Sequence, residues 1–276
     1  MTEPLHILSL GAGVQSSTLA LMAAAGEVTP MPMCAIFADT GDEPQSVYRW
    51  LDWITPQLSF PVYRVQNKKG KLSAEAIEVK TNQTTGKKYY ANMIPAFSPT
   101  KGGSAILPRH CTYQFKVLPI LRAARLIGNI KRGQKTIGII QWLGISKDEA
   151  HRMKPSREPW CENRWPLIEM GLRRSDCLRW MKAKGFPPPP RSACVYCPFR
   201  SDAEWLRLKT DEPEEFKKAA EFEQRLRETH AAITTPGKNV RLPYLHRSLK
   251  ILTDVDFTDN QLDMGFGNEC EGLCGV

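Results

Sequence analysis

Short apolar segments in the first half of the chain alternate with polar turns and helix-compatible stretches, and this alternation restricts the fold more than any other feature. The apolar segments are HILSL at 6–10, MCAIFADT at 33–40, PVYRVQ at 61–66 and KTIGIIQWLGIS at 135–146. Strands that alternate with helices form right-handed crossovers, so they build a parallel sheet that is covered on both faces. The sequence therefore predicts an α/β fold with a doubly wound parallel sheet.

The second half of the chain has a different pattern. The alternation stops after residue 155, and helices joined by loops follow, including four prolines at 187–190 that must be extended. In the first half, residues 80–108 are polar and lack periodicity, which is typical of a lid, a binding segment or a disordered segment. We expect a sheet domain at 1–170 and a helical, cysteine-rich region at 171–276.

Composition favours a cytoplasmic protein with an anionic partner. No stretch approaches the ~18 apolar residues of a membrane span, so we expect no membrane partner. The formal net charge of +9 and the pI near 9.2 favour a nucleotide or a nucleic acid, or only a solvated basic surface. In a reducing compartment, the eight cysteines serve metal binding, redox chemistry or packing more often than disulfides.

The turn after the first strand, SLGAGVQSST at 9–18, is rich in small residues. Backbone N–H groups can converge on an anion in such a turn, and the helix that follows adds a partial positive charge at its N-terminus. The turn matches neither the P-loop pattern nor the dinucleotide-binding pattern. By itself it indicates either an anion-binding loop or a tight connection between a strand and a helix.

Residues 9–17 resemble the modified phosphate loop, usually written SGGxDS, of the adenine-nucleotide α-hydrolase (PP-loop or HUP) superfamily, and in particular of its phosphoadenylyl-sulfate (PAPS) reductase-like members. Further segments resemble that family in the same order, namely IFADTGDEPQSVYRW, RHCTYQFKVLPI, WLGISKDEAHR, WPLIEM and PRSACVYCPF. The resemblance covers residues 5–200. It implies a HUP-type fold that binds an adenine nucleotide, namely ATP, PAPS or adenylyl sulfate (APS), at the carboxyl ends of the strands.

The resemblance also implies which residues would hold the nucleotide. The binding residues would be Ser9, Gly11, Gly13, Gln15, Ser16, Ser17, Asp39, Thr40, Gly41 and Arg109. Asp39 would hold Mg²⁺ or a ribose hydroxyl, or would only cap its turn. Lys116 and Arg152 would act as catalytic residues by neutralising charge that develops on the phosphates or the sulfonate.

Two departures from the family pattern bear on the substrate. Gln15 stands where ATP-cleaving members have aspartate, and several reductases resemble this chain in having glutamine there, which favours the reductase branch. Ser146 and Lys147 stand where reductases often have arginine. Both a sulfonucleotide and ATP therefore stay open as substrates.

Cys194 and Cys197 form a C-x2-C pair, a spacing that lets two thiolates reach one metal or cluster. With Cys111 they give a C-x82-C-x2-C layout similar to that of iron-sulfur APS reductases, although Thr112 stands where those enzymes have a second cysteine. Cys177 is the best candidate for a fourth ligand, and the resulting set resembles that of DNA-phosphorothioation proteins. The resemblance implies a 4Fe-4S cluster, with structural zinc and a metal-free protein as the alternatives.

The chain ends in GNECEGLCGV, which resembles the mobile ECGLH tail of PAPS reductases, whose cysteine attacks the sulfonate of the nucleotide. The chain has an extra residue after Cys270, and Cys274 stands in place of the histidine. The resemblance implies that one of these thiols is a nucleophile and that the other, or a thioredoxin-like partner, resolves the intermediate. The alternative is a frayed terminus with two inert thiols.

Three functions are compatible with these patterns. The first is a PAPS reductase-like enzyme that reduces a sulfonucleotide. The second is an ATP pyrophosphatase that adenylates tRNA or DNA for sulfur insertion, with a cysteine desulfurase as the source of sulfur. The third is a non-catalytic module that binds a nucleotide or a nucleic acid.

Overall fold

The computed structural model describes residues 3–233 and 241–258. Its strands are β1 (Leu5–Ser9), β2 (Cys34–Asp39), β3 (Val62–Gln66), β4 (Lys80–Thr81), β5 (Lys88–Tyr89), β6 (Phe97–Thr100), β7 (Gly103–Ile106), β8 (Ile139–Leu143) and β9 (Cys161–Arg164). Its α-helices are α1 (Val14–Ala24), α2 (Gln45–Ile54), α3 (Leu72–Ile77), α4 (Leu118–Ile127), α5 (Pro166–Glu169), α6 (Arg174–Ala183), α7 (Asp202–Asp211) and α8 (Pro213–Ile233). Short 3-10 segments cover Thr55–Gln57, Lys147–Arg152 and Leu252–Asp254, and a π-helical stretch, Tyr113–Val117, leads into α4.

The central sheet has five parallel strands in the order β3-β2-β1-β8-β9. The chain builds outward from β1 to β3 and then returns to the other side of β1 with β8. Such a reversal leaves a crevice beyond the carboxyl ends of the two strands at the switch point, which is where doubly wound proteins bind ligands. The predicted α/β fold with a doubly wound parallel sheet is therefore confirmed.

Alternate residues of the central strands point to opposite faces of the sheet. Leu8 and Trp142 belong to a core cluster that includes residues of α1, α2 and α6. Ile7 and Ile139 belong to a second cluster with Ile120 of α4. Both faces of the sheet are thus covered by helices, which explains why β1, β2 and β8 are almost continuously apolar.

The structure adds β9 at one edge of the sheet, a strand that the sequence pattern did not predict. Its sequence is CENR, of which only Cys161 is buried. A four-residue edge strand that buries one side chain has neither an apolar run nor a clear alternation, so the sequence carried no signal for it.

The polar segment at 80–108 and the second half of the chain share a third core cluster. The cluster contains residues of α3, the segment around Met93, the C-x2-C loop, α7, α8 and the residues up to Phe257. Residues 97 and 244 exchange backbone hydrogen bonds of 2.8 Å in both directions. The segment predicted to be a lid or a binding loop is therefore joined to the cysteine-rich region.

Helix α6 follows the expected boundary at residue 170 but packs against α1. Its buried residues Cys177 and Met181 belong to the same core cluster as Leu8 and Trp142. The layer that covers the sheet thus includes residues from both sides of that boundary.

Within the described residues, none of the helices combines the length and the apolar character that crossing a bilayer requires.

Leu51 of α2 is fully buried against the sheet, whereas Leu126 of α4 is 82% exposed. We expect Leu51→Ala to lower the free energy of unfolding by about 2–5 kcal/mol, because it removes buried apolar contacts and leaves a cavity. Leu126→Ala makes the same chemical change at the surface and should alter the free energy by no more than about 0.5 kcal/mol. Urea unfolding followed by circular dichroism measures both. Equal losses in the two variants would contradict the burial assigned to α2.

Candidate functional site

The loop between β1 and α1 is closed by its own side chains. The Gly11 N–H donates to Ser16 Oγ over 3.1 Å, and Ser16 Oγ lies 3.4 Å from the Gly13 carbonyl oxygen. Ala12 has a φ of 61°, in the left-handed region that non-glycine residues rarely adopt. A strained residue held in a loop by its neighbours is often found at ligand sites. The loop therefore has the preformed, small-residue backbone that anion binding requires.

This loop lines a crevice at the switch point of the sheet. The crevice is bounded by residues 9–11 and Ser16 of the loop, by Phe37 and Ala38 of β2, by Lys116 and Ile120, and by 143–145. We call it the switch-point crevice. Of the predicted nucleotide-binding residues, Ser9, Gly11 and Ser16 line it directly. It offers loop backbone and the N-terminal end of α1 on one side and apolar walls on the other, a combination suited to phosphates and a base.

Gly144 allows the end of β8 to approach the start of α1. A Cβ atom on Gly144 would lie 2.7 Å from both the backbone N and the Cα of Ser16. Real Cβ atoms essentially never approach backbone atoms so closely, so a side chain here would displace the loop. Gly144 lies within the apolar segment predicted to be a strand, where a glycine is a signal for close backbone approach.

Gln15 is completely buried and points away from the switch-point crevice. Its Nε2 donates to Glu149 Oε2 over 3.1 Å and to Ser146 Oγ over 3.4 Å, and its Oε1 accepts from Arg174 Nη1 over 3.0 Å. Gln15 therefore joins α1 to the turn after β8 and to α6. Glu149 and Arg174 are part of this network, and sequence reasoning missed both.

Ser17 and Gly13 make contacts that hold the start of α1 in place. Ser17 is buried, and its Oγ accepts a hydrogen bond of 2.9 Å from Trp50 Nε1. Gly13 is the residue before α1, and its carbonyl oxygen accepts from the Ser17 N–H. These contacts fix the first turn of α1 against α2, so they support the loop from behind.

Asp39 organises the turn at the end of β2. Its Oδ1 accepts from the Gly41 N–H over 2.7 Å and from Tyr48 Oη over 2.8 Å, and its Oδ2 accepts from Gln66 Nε2 over 3.0 Å. Gly41 has a φ of 76°, which a turn of this kind requires. The geometry gives Asp39 the capping role, and Mg²⁺ at this carboxylate stays a prediction.

A buried cluster of polar groups lies beside the crevice. Lys116 Nζ is 3.5 Å from Glu43 Oε1, and both side chains are buried. The same carboxylate oxygen accepts from Thr40 Oγ1 over 3.2 Å and from Cys194 Sγ over 3.7 Å. Its other oxygen, Glu43 Oε2, is buried without a hydrogen-bond partner among the described residues. Glu43 lies two residues after the DTG triplet, but its neighbours become apparent only in the fold.

Burial raises the pKa of the Cys194 thiol well above its usual value, and the nearby Glu43 carboxylate raises it further. Lys116 acts in the opposite direction on the same pKa. Cys194 is therefore a protonated thiol at neutral pH in this environment. A ligand or metal that needs a thiolate here must supply positive charge of its own.

Three of the four predicted metal ligands line one cavity. Cys111, Cys194 and Cys197 surround it together with Thr40, Lys116, Leu72, Ile94 and Tyr196. We call it the cysteine cavity. Its C-x2-C loop is held against the turn after β2, because the Val195 N–H donates to the Asp42 carbonyl oxygen and Tyr196 Oη donates to Asp42 Oδ2, each over 2.8–2.9 Å. Ser192 Oγ donates to the carbonyl oxygen of Gly11, which ties this segment to the phosphate loop.

Cys177 does not line the cysteine cavity. It is buried in the core cluster that includes α1 and α6, whereas Cys194 belongs to the cluster that includes α7 and α8. Within residues 3–233 and 241–258, no three histidine, cysteine, aspartate or glutamate side chains converge into a group that could hold a metal ion. The predicted ligand set of four cysteines is thus not assembled in the described part of the chain, because helix packing directs Cys177 into the sheet core.

Arg109 and Arg152 do not line the switch-point crevice. Arg109 lies over the ring of Phe199, 5.3 Å from its centre. Arg152 forms an ion pair of 2.6 Å with Glu149 and lines a separate cavity, which lies between residues 113–121, the end of β8 and the segment 152–158. We call it the basic cavity. Leu143 and Ile145 line both this cavity and the switch-point crevice.

The predicted nucleophiles Cys270 and Cys274 lie outside the described residues. The structure therefore places the loop between β1 and α1, Lys116 and three cysteines in adjoining positions, whereas Arg109, Arg152 and Cys177 line neither the switch-point crevice nor the cysteine cavity.

Gly144→Ala tests the close contact between β8 and α1. We expect it to weaken binding of an adenine nucleotide by at least about tenfold, because the new methyl group displaces the backbone of Ser16 and with it the loop. Gly102→Ala is the matched control, since nothing lies within 4 Å of a Cβ atom at Gly102. Isothermal titration with ATP and PAPS measures both variants. Unchanged affinity in Gly144→Ala would show that the nucleotide does not use this loop.

No model of a known protein family matches the chain. The search of curated proteins likewise finds no match. The case for a function accordingly rests on the geometry of the phosphate loop, Lys116 and the cysteine cavity.

Proposed function

We propose that the chain is an enzyme that binds an adenine nucleotide in the switch-point crevice and carries out sulfur chemistry beside it. The phosphates lie on the loop between β1 and α1, where backbone N–H groups and the positive end of an 11-residue helix favour anions. The base and ribose lie toward Phe37 and Ala38, which form the apolar wall. The ordered motifs that resemble PAPS reductases support the same ligand.

The observation that carries the proposal is the position of Lys116. Its side chain lines both the switch-point crevice and the cysteine cavity. A buried ammonium group at this boundary can neutralise negative charge on a phosphate or sulfonate next to the thiols. It is held there by Glu43, so the charge is already in place before a substrate binds.

The first candidate reaction is the reduction of a sulfonucleotide, PAPS or APS. A thiolate from Cys270 or Cys274 attacks the sulfonate sulfur, the bond between that sulfur and the bridging oxygen breaks, and the nucleotide leaves with the electron pair on its phosphate. The resulting thiosulfonate is attacked by a second thiol, which releases sulfite and leaves a disulfide. A thioredoxin-like dithiol reduces that disulfide and supplies the two electrons. Gln15 favours this reaction through the resemblance, since several reductases have glutamine at this place and ATP-cleaving members have aspartate.

The second candidate reaction is adenylation of tRNA or DNA by ATP, followed by replacement of the activated oxygen by sulfur. The basic cavity favours it, because Arg152, Lys154 and Arg157 line a space that shares a wall with the switch-point crevice. Sulfur would come from a donor such as a cysteine desulfurase. An iron-sulfur cluster or zinc stays a prediction for either reaction, and neither reaction as written passes through one.

One experiment separates these reactions. The protein is purified without oxygen, its iron, sulfide and zinc are measured, and the same sample is incubated with PAPS, APS or ATP together with thioredoxin and its reductant. Sulfite release from PAPS or APS is the expected result. Pyrophosphate release from ATP in the presence of tRNA or DNA, with no sulfite from either sulfonucleotide, would replace the first reaction with the second. If no nucleotide is turned over, the third function, a non-catalytic binding module, would replace both reactions.

Replacing the nucleophilic thiol should abolish sulfite release. We expect either Cys270→Ser or Cys274→Ser to lower turnover by at least about a thousandfold, because a hydroxyl is a far weaker nucleophile at neutral pH. Cys177→Ala is the control, since Cys177 is packed between α1 and α6 and should be dispensable both for turnover and for bound metal. Full turnover in both serine variants would exclude the tail as the source of the nucleophile.

Lys116→Met should affect both stability and catalysis. It leaves the carboxylate of Glu43 buried without its cation, so we expect a loss of about 3–5 kcal/mol in the free energy of unfolding. Turnover should fall by about a hundredfold or more, because the charge beside the phosphate is lost. The double variant Lys116→Met/Glu43→Gln should regain most of the stability but not the turnover. Recovery of turnover in the double variant would show that Lys116 has only a structural role.

A further inference from the structure

The basic cavity lies next to the switch-point crevice, and the first candidate reaction does not use it. Its floor includes Gln141, whose Nε2 donates to Ser9 Oγ over 2.6 Å. Ser9 itself lines the crevice, so one hydrogen bond and the shared wall of Leu143 and Ile145 separate the two spaces. A ligand in the basic cavity would therefore lie beside a nucleotide on the phosphate loop.

The charge in this cavity is strongly positive. Arg152, Lys154 and Arg157 line it, against the single carboxylate of Glu158. Glu158 Oε2 accepts a hydrogen bond of 2.8 Å from Trp160 Nε1, and Arg152 is paired with Glu149. Lys154 and Arg157 are exposed and form no ion pair with any residue that the structure describes. These two cations are therefore available to bind an anionic ligand.

The opposite wall of the cavity is apolar and partly aromatic. Val117 and Leu121 contribute to it, together with Tyr113, a residue that is 38% exposed. A ligand that fits such a site combines a flat apolar part with negatively charged groups at its edge. A nucleotide unit has this combination, since its base can stack on an aromatic ring while its phosphate meets lysine or arginine.

The positive surface continues beyond the cavity, which favours a polymer over a single nucleotide. Helix α4 carries Arg122 and Arg125, and the turn after it carries Lys131, Arg132 and Lys135. The side chain of Arg125 lies over Trp160, the residue just before β9, so the fold brings this basic run to the same side as the segment 152–158. A chain of phosphates can follow these residues away from the cavity.

We propose that the basic cavity and the flank formed by α4 bind a single-stranded segment of nucleic acid, with one base against Tyr113 and the adjacent phosphates at Lys154 and Arg157. This site goes beyond sulfonucleotide reduction. In the second candidate reaction it would present the acceptor to the activated nucleotide. Binding at this site requires no turnover, so it can be tested whether or not either reaction occurs.

The test uses fluorescence anisotropy with labelled single strands of RNA and of DNA, about 20 nucleotides long, and with a DNA duplex, at salt concentrations from about 50 to 200 mM. We expect the wild-type chain to bind a single strand more tightly than the duplex. We expect Lys154→Glu/Arg157→Glu to weaken single-strand binding by at least about tenfold. The slope of log K against log salt should also become shallower, by an amount that corresponds to the loss of about one to two phosphate contacts.

Two further variants separate this site from general attraction to a basic protein. Lys217→Glu/Arg225→Glu makes the same change in charge on the exposed face of α8, which does not line the basic cavity, and should bind as the wild type does. Tyr113→Ala should weaken single-strand binding by about fivefold or more and leave the salt dependence unchanged, since stacking carries no charge. Thermal unfolding of each variant confirms that it is folded.

An equal loss in the α8 control would overturn the proposal, because binding would then depend only on net charge. So would displacement of the bound strand by saturating AMP, which would assign the basic cavity to the mononucleotide site. Wild-type affinity in Lys154→Glu/Arg157→Glu would also overturn it. Because nucleotide turnover is assayed separately, a failure of the sulfur chemistry leaves the outcome of these measurements intact.

Discussion

The contact between Gly144 and Ser16 is the constraint on which the site depends. A Cβ atom at residue 144 would lie 2.7 Å from the backbone of Ser16, so the end of β8 and the start of α1 are as close as two peptide segments can be. This contact fixes the loop that begins at Gly11, because Ser16 Oγ accepts from the Gly11 N–H. The loop in turn receives a hydrogen bond from Ser192, so the C-x2-C segment takes its position from the same contact.

The second half of the chain is held to the turn after β2 by hydrogen bonds as well as by packing. Lys116, Glu43 and Cys194 come from three distant parts of the sequence and meet in a buried cluster. Two opposite charges that are buried together cost less than either alone, but removing one partner typically costs about 3–5 kcal/mol. A buried ion pair of this kind adds little to the net free energy of unfolding, but it fixes the positions of both side chains. In the proposed function, this pair holds a cation at the boundary between the crevice and the cysteine cavity.

The sequence was sufficient to predict those parts of the fold that follow from local patterns. The strands β1, β2, β3 and β8 and the loop at 9–17 each have a periodicity or a turn signal within about ten residues. The structure places Cys177 and Cys194 in different core clusters, and spacing along the chain does not specify which face of a helix enters which core. Glu43, Gln141 and Glu149 were missed for the same reason, since their partners lie more than 70 residues away or across the sheet.

The arrangement of the three cavities restricts what the protein can do with a nucleotide. A nucleotide on the phosphate loop has Lys116 and thiols on one side and, beyond Leu143 and Ile145, the basic cavity on the other. In the proposed function, the loop, α1 and Lys116 would neutralise a sulfonucleotide, and Lys154 and Arg157 would have no role in binding it. A nucleic acid gives these two cations a partner without moving the nucleotide. In this proposal the group that reacts and the group that is recognised bind on opposite sides of Leu143 and Ile145, so the two binding events can be separated by mutation.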